Sequence, residues 1–227
     1  MRGEPIVNKE EVSQGARMAI ADLDKEALEK LILAALDSGM SPLEIAHEVI
    51  FPQMLEACRS HDAFDMSFSE LLLTADTIKV AFDLLIPRIK ASASKEDAKA
   101  TVVIGTVEGD IHDFGKELVA AVLQSGGYHV IDLGRDVPID EFLKAAEKEK
   151  ADIIAASTLM TPTLHNMKRL IAEIKKRNMR VKTIIGGLAT SKDFANLIGA
   201  DAWAEDALAG LQALDNLTKT RSGESSS

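Results

Sequence analysis

The chain has 227 residues, 46% hydrophobic and 27% charged, a composition that excludes a disordered or fibrous protein and allows two compact domains. Its formal net charge of -10 repels phosphate backbones and anionic headgroups, so neither nucleic acid nor a membrane is an expected partner. Cys58 is the single cysteine, so no internal disulfide can form, and no secretory leader or membrane-spanning apolar run is read; a reducing, cytoplasmic location is expected.

The first ninety or so residues carry helix signals and almost no strand signal. Asn8 with Glu11, and Ser41-Pro42 with Glu44, are capping-box arrangements that start helices. Between them Leu28, Leu31, Ile32, Ala35 and Leu36 recur at the spacing of one buried face, and Gly39 stands where a left-handed C-cap is wanted. Pro52 predicts a break or kink between Ile50 and Met54. A fourth helix is predicted from Phe68 to Leu85, closed by Pro87. Residues 1–91 thus read as a four-helix bundle.

Residues 92–98 are small and polar, within a broader hinge region from Ile89 to Lys99, and read as a linker. Beyond it, β-branched runs at Thr101–Val107, Tyr128–Leu133, Asp152–Ser157, Val181–Ile185 and Asp201–Ala204 alternate with amphipathic stretches. Consecutive apolar residues such as Val102-Val103-Ile104 mark strands covered on both faces. The expected fold over 99–217 is therefore α/β, a five-stranded parallel doubly wound, Rossmann-like sheet in flavodoxin order. The tail 218–227 has no apolar anchor and is expected to be disordered.

In such a sheet ligands bind outside the carboxyl ends of the strands. The loop after the first strand, Glu108 to Lys116, is too long for a plain turn; the loop after the third, Ser157 to Thr163, is rich in hydroxyls; the fourth strand ends in Gly186-Gly187. A dinucleotide fingerprint, a P-loop, a hydrolase elbow and a zinc cysteine set are all missing, and two of the three parts of a phosphoacceptor site are absent. Glu108, Asp110 and Asp113 with an imidazole among them suit magnesium or calcium poorly. His47, His61, His129 and His165 lack comparable context and read as surface or packing residues. Singly, His112 in a βα loop, Ser157 on a strand and a Gly-Gly turn each have ordinary structural readings.

Together they resemble the corrinoid-binding domain of cobalamin-dependent methyltransferases and mutases. That family's signature, Asp-x-His-x-x-Gly, Ser-x-Leu and Gly-Gly at long fixed spacings, stands here as Asp110-x-His112-x-x-Gly115, 41 intervening residues, Ser157-x-Leu159, 26 more, then Gly186-Gly187. The resemblance implies a cobalamin or other corrinoid cofactor, with its dimethylbenzimidazole tail displaced and His112 as the protein ligand to cobalt. It implies that Asp110 accepts the other imidazole N–H and that Thr163 extends the relay, where some family members have Ser. Gly109, Ile111, Asp113, Phe114 and Gly115 are implied beside the cofactor. Ser157 and Leu159 are implied around the nucleotide slot and Thr161 at the cofactor, with Gly186 and Gly187 leaving room for the tail.

The helical half extends the resemblance: Ser69 to Ala75 with Lys79 is similar to the last helix of the cap in methyl-transferring members, which mutases generally lack. Ser67 stands where the cap's aromatic residue aligns, with Phe68 next to it, so Met66, Phe68 and Leu72 are the candidates for covering the cobalt. The implied function is a methyl-carrying corrinoid subunit of the methanol, methylamine or methoxy-compound type, acting in one-carbon metabolism. Its implied partners are a substrate-specific corrinoid methyltransferase, a second methyltransferase serving a thiol or tetrahydrofolate, and a reductive activase. For them to reach the cobalt the cap must move, with the linker as hinge. The alternatives are a cobalamin-dependent sensor, for which no DNA-binding segment is read, and a small subunit of an adenosylcobalamin mutase.

Overall fold

The computed structural model describes residues 8–91 and 98–224. The chain divides into two compact units, Met1–Ala91 and Ser92–Ser227. The linker expected over 92–98 lies, except for Ala98, outside the described residues.

The first unit is helical: α1 (Lys9–Ala21), α2 (Lys25–Asp37), α3 (Pro42–Glu44), α4 (Phe51–Asp62) and α5 (Phe68–Ala91). The Asn8–Glu11 capping box is formed, and Ser41 accepts from the Glu44 amide. Gly39 takes φ +97, which a side chain would strain. Val12 and Ala16 of α1, Leu28 and Ile32 of α2, and Ile78, Phe82 and Leu85 of α5 are buried.

Two prolines lie within continuous helix. Between α3 and α4 the chain stays helical through a π-helical turn, Ile45–Ile50, and Pro52 follows it in the first turn of α4. The Phe51 amide reaches back to Ala46 O; this wider turn moves the preceding carbonyls away from the proline ring, so the helix changes register instead of breaking. Pro87 does not close α5, which runs on to Ala91. Ile86 and Ile89 beyond it are buried, and Arg88 Nη1 donates to Leu84 O at 2.6 Å. Apolar burial and a side-chain donor thus offset the hydrogen bond that Pro87 cannot make.

The second unit holds β1 (Thr101–Thr106), α6 (Phe114–Ser125), β2 (His129–Asp132), α7 (Ile139–Lys148), β3 (Ile153–Ser157), α8 (Leu164–Lys176), β4 (Lys182–Gly186), α9 (Lys192–Ile198), β5 (Ala202–Ala204) and α10 (Ala207–Glu224). The five strands are parallel in the order β2-β1-β3-β4-β5, as expected. Alternate strand residues feed two cores. Val103 and Ile154 pack with Phe142 of α7 and Leu170 of α8, while Val102, Ile104 and Ile153 pack with Leu123 of α6 and Leu214 of α10. The tail expected to be disordered from Thr218 is helical to Glu224; Thr218 Oγ1 bonds to Leu214 O, and its residue meets the Tyr128 hydroxyl at 3.4 Å. Residues 225–227 lie outside the described residues.

The register aligns Thr106 with Ser157, Ser157 with Gly186 and Gly186 with Ala204. One edge of the sheet therefore gathers the ends of four strands, and β1 and β3, whose following connections diverge, lie side by side there. This is the switch point at which a doubly wound sheet opens a crevice.

Two outcomes follow for stability. Gly187 has φ +100, and a β-carbon on it would lie 2.1 Å from Thr158 O. Gly187→Ala is expected to cost on the order of 2 kcal/mol or more in urea unfolding. Asp201 is pushed up by burial, but bonds from the Thr183 hydroxyl and amide and from Lys182 outweigh this and hold its carboxyl below the ordinary range. Its contribution is present above the ordinary carboxyl value and is lost as pH falls through the depressed folded value. Asp201→Ala is expected to flatten the loss of stability below about pH 4, as checked by unfolding curves across an acid series.

Candidate functional site

At the β1–β3 edge a buried carboxylate organises the surroundings. Asp110 is 0% exposed, a position a carboxylate holds only when donors surround it. Its Oδ1 accepts from the His112 amide at 3.0 Å and His112 Nδ1 at 2.7 Å; its Oδ2 accepts from the Thr158 hydroxyl and the Leu159 amide, both at 2.7 Å. Burial works to raise the carboxyl, and these bonds from His112, Thr158 and Leu159 outweigh it, so the group sits below the usual carboxylate range.

An ionised carboxylate only accepts, so Nδ1 of His112 carries a hydrogen, and in the neutral ring the lone pair then lies on Nε2. The side chain of His112 is 50% exposed. Its ring is thus anchored at Nδ1 by a buried partner while half of the side chain stays exposed.

The loop that carries His112 is fixed at successive residues. The Gly109 amide donates to Asp136 Oδ1 at 2.7 Å, and the Asp136 amide donates to Asp110 O at 2.9 Å. Arg135 Nη1 reaches Ile111 O at 3.3 Å and pairs with Asp113 at 3.4 Å, while the Thr106 hydroxyl donates to His112 O at 2.9 Å. Asn166 Nδ2 donates to Glu108 O at 2.8 Å. Just after the loop, Lys116 is 3% exposed, and its ammonium lies 2.5 and 2.6 Å from the two Asp132 oxygens, tying the first turn of α6 to the end of β2.

The residues singled out in the sequence fall into two groups. Gly109, Asp110, Ile111, His112 and Asp113 form the β1–α6 loop, and Phe114 and Gly115 open α6; a β-carbon on Gly115 would meet open space. Ser157 ends β3, with Leu159 in the loop beyond it and Thr161 and Thr163 in a 3-10 turn. Gly186 ends β4 beside Ser157, and Gly187 follows. These residues share one edge of the sheet. Met66, Phe68 and Leu72 belong to the helical unit, at and just before the start of α5, where Phe68 and Leu72 are exposed.

Two details add to what the residues alone suggested. A β-carbon on Gly187 would strike the Thr158 backbone, and one on Gly186 would meet Ala204 O at 3.0 Å, so close approach within the protein already demands Gly187 and leaves little room for a side chain at Gly186. Thr163 has no hydrogen bond to Asp110; its hydroxyl meets that of Thr158 at 2.5 Å, and Thr158 meets Asp110. Thr158, 0% exposed, went unread because it fills the variable place of Ser-x-Leu. Asp136 and Arg135 went unread because only the parallel pairing of β1 and β2 brings them to the loop.

Among the described residues no group of three or more His, Cys, Asp or Glu is placed to hold a metal ion. A metal taken by the single imidazole of His112 must bring its other ligands, and a corrin ring brings four nitrogens of its own. The donor set fits a corrinoid.

The comparisons agree. The B12 binding domain family matches residues 100–212, and a second B12 binding domain family matches residues 12–86. The chain is 36% identical over 204 residues to trimethylamine corrinoid protein 1 of Methanosarcina mazei, covering 89% of this chain and 94% of that one. The solved monomethylamine corrinoid protein of Methanosarcina barkeri superposes with a TM-score of 0.82 at 27% identity, covering 91% of this chain and 98% of that one. The methanol:cobalamin methyltransferase complex of the same organism gives 0.53 at 27% identity, covering 93% and 81%. A helical unit and a doubly wound unit, each matched by a B12 binding domain, place this chain in the corrinoid protein family, and its cofactor is a corrinoid.

Proposed function

We propose that this chain is a methyl carrier: it binds cobalamin with the dimethylbenzimidazole tail displaced and His112 beneath the cobalt, and serves two methyltransferases in turn. One loads the methyl group from its substrate and the other delivers it to a thiol or tetrahydrofolate, with a reductive activase restoring the cofactor. The bound corrinoid supplies the cobalt on which the methyl group is carried.

The observation that carries this reading is the anchored but half-exposed imidazole of His112 on a fully buried Asp110. Asp110 Oδ1 holds the Nδ1 hydrogen, which keeps the Nε2 lone pair directed to a ligand and makes the ring a better donor. The clamp from Asp136, Arg135 and Thr106 limits how far the loop can move as the ring engages or withdraws. Gly115 leaves open space at the start of α6, where a bulky macrocycle needs it. The helical B12 binding domain at residues 12–86 favours this reading over a mutase subunit. The relatives named for trimethylamine and the methanol complex support a methyltransferase partner.

The purified chain, offered hydroxocobalamin and then desalted, is expected to retain the cofactor and its colour; a colourless protein overturns the reading. His112→Ala is expected to remove histidine coordination, seen as loss of imidazole nitrogen coupling in the electron paramagnetic resonance of the Co(II) form. An unchanged spectrum would refute the ligand assignment. Asp110→Asn is expected to keep bound corrinoid with affinity or transfer reduced roughly 10 to 100-fold, as measured by cofactor titration and single-turnover methyl transfer.

A further inference from the structure

We infer that Asp136, in the loop between β2 and α7, is a positioning residue for His112: its amide and its carboxylate together grip the backbone on both sides of Asp110, and so fix where the Asp110 carboxylate meets the imidazole. This deepens the reading of His112 as the cobalt ligand and rests on it only for the consequence at the metal.

The direction of the Asp110 side chain is set by the peptide groups around its α-carbon. Asp136 Oδ1 accepts from the Gly109 amide at 2.7 Å, and the Asp136 amide donates to Asp110 O at 2.9 Å. Between these two bonds the Asp110 amide donates to Val107 O at 3.1 Å. The successive peptide groups 108–109, 109–110 and 110–111 are thus all held, the outer two by one residue. With the planes on either side of its α-carbon fixed, Asp110 keeps its carboxylate turned inward, where Oδ1 meets the amide and Nδ1 of His112.

The residue type follows from the backbone. Asp136 has φ +54, a left-handed conformation that Asp and Asn adopt more readily than other residues with a side chain. Both also carry an oxygen one atom beyond the γ-carbon, where the bond to Gly109 needs it. Glycine would take the same φ without the oxygen, and alanine would supply neither.

The grip has a firm base. Thr106 of β1 is 0% exposed; its amide donates to Gly134 O at 3.0 Å and its carbonyl accepts from the Val137 amide at 2.9 Å. The chain on either side of Asp136 is therefore bound to the strand that leads into the histidine loop, and a Val107–Val137 bridge continues the parallel pairing beyond the strands. Asp136 and Gly109 are themselves exposed, so their bond competes with water and adds little to global stability. Its contribution is direction.

The test compares Asp136→Gly, Asp136→Asn and Asp136→Ala. In the cofactor-free protein, followed by amide hydrogen exchange, Asp136→Gly is expected to remove protection at Gly109 while the amide at position 136 keeps its own. Asp136→Ala is expected to remove both, and Asp136→Asn to leave both native. The urea midpoint of Asp136→Gly is expected to stay close to native. In the cobalamin-loaded protein Asp136→Gly is expected to lower the fraction of Co(II) that shows imidazole nitrogen coupling and to weaken cobalamin binding by roughly 10-fold, with Asp136→Asn near native. Unchanged Gly109 protection in Asp136→Gly, or an Asp136→Asn variant as damaged as Asp136→Gly, would overturn the inference. So would a large fall in the urea midpoint with native histidine coupling, the mark of a purely stabilising residue. A chain that retains no cobalamin would sink the proposed function and leave the exchange result to decide the grip.

Discussion

The arrangement at the sheet edge depends on one buried carboxylate. Asp110 has lost its water entirely, and an unpaired charge there would cost several kcal/mol. Donors from two loops, His112 after β1 and Thr158 and Leu159 after β3, make its burial tolerable. The same contacts that stabilise the charge therefore lock the two loops together and fix the orientation and tautomer of the ring that faces outward.

That lock is possible because β1 and β3 are neighbours in register, with Thr106 opposite Ser157. Gly187, in turn, lets the loop after β4 approach the Thr158 backbone too closely for any side chain. The supports spread outward from there: Asp136 and Arg135 hold the backbone of the His112 loop from the β2 side, and buried Lys116, paired with Asp132 at the end of β2, ties α6 to β2.

Much of this was legible before any coordinates, for reasons tied to particular residues. Asn8 and Ser41 cap because their side chains satisfy amides a few bonds away, and Gly39 ends a helix because of its own backbone freedom. The consecutive apolar residues of β1 and β3 announce strands covered on both faces. Asp110, His112, Ser157 and Gly186-Gly187 were legible because their spacing maps onto the ends of β1, β3 and β4.

How the prolines are accommodated was not legible, for a different reason. Pro52 and Pro87 are local breakers, but a π-turn before one and buried isoleucines around the other are tertiary compensations that propensity does not contain. The same holds for Thr158, whose importance lies in a contact to a residue 48 positions earlier. By itself the sequence determined the helices, the strands and the order of units, because these rest on local chemistry and on patterns repeated along the chain. The tertiary structure alone decided which hydroxyl touches the carboxylate and which loop clamps the histidine, because hydrogen bonds act over about 3 Å and only parallel strand pairing brings such distant residues within that reach.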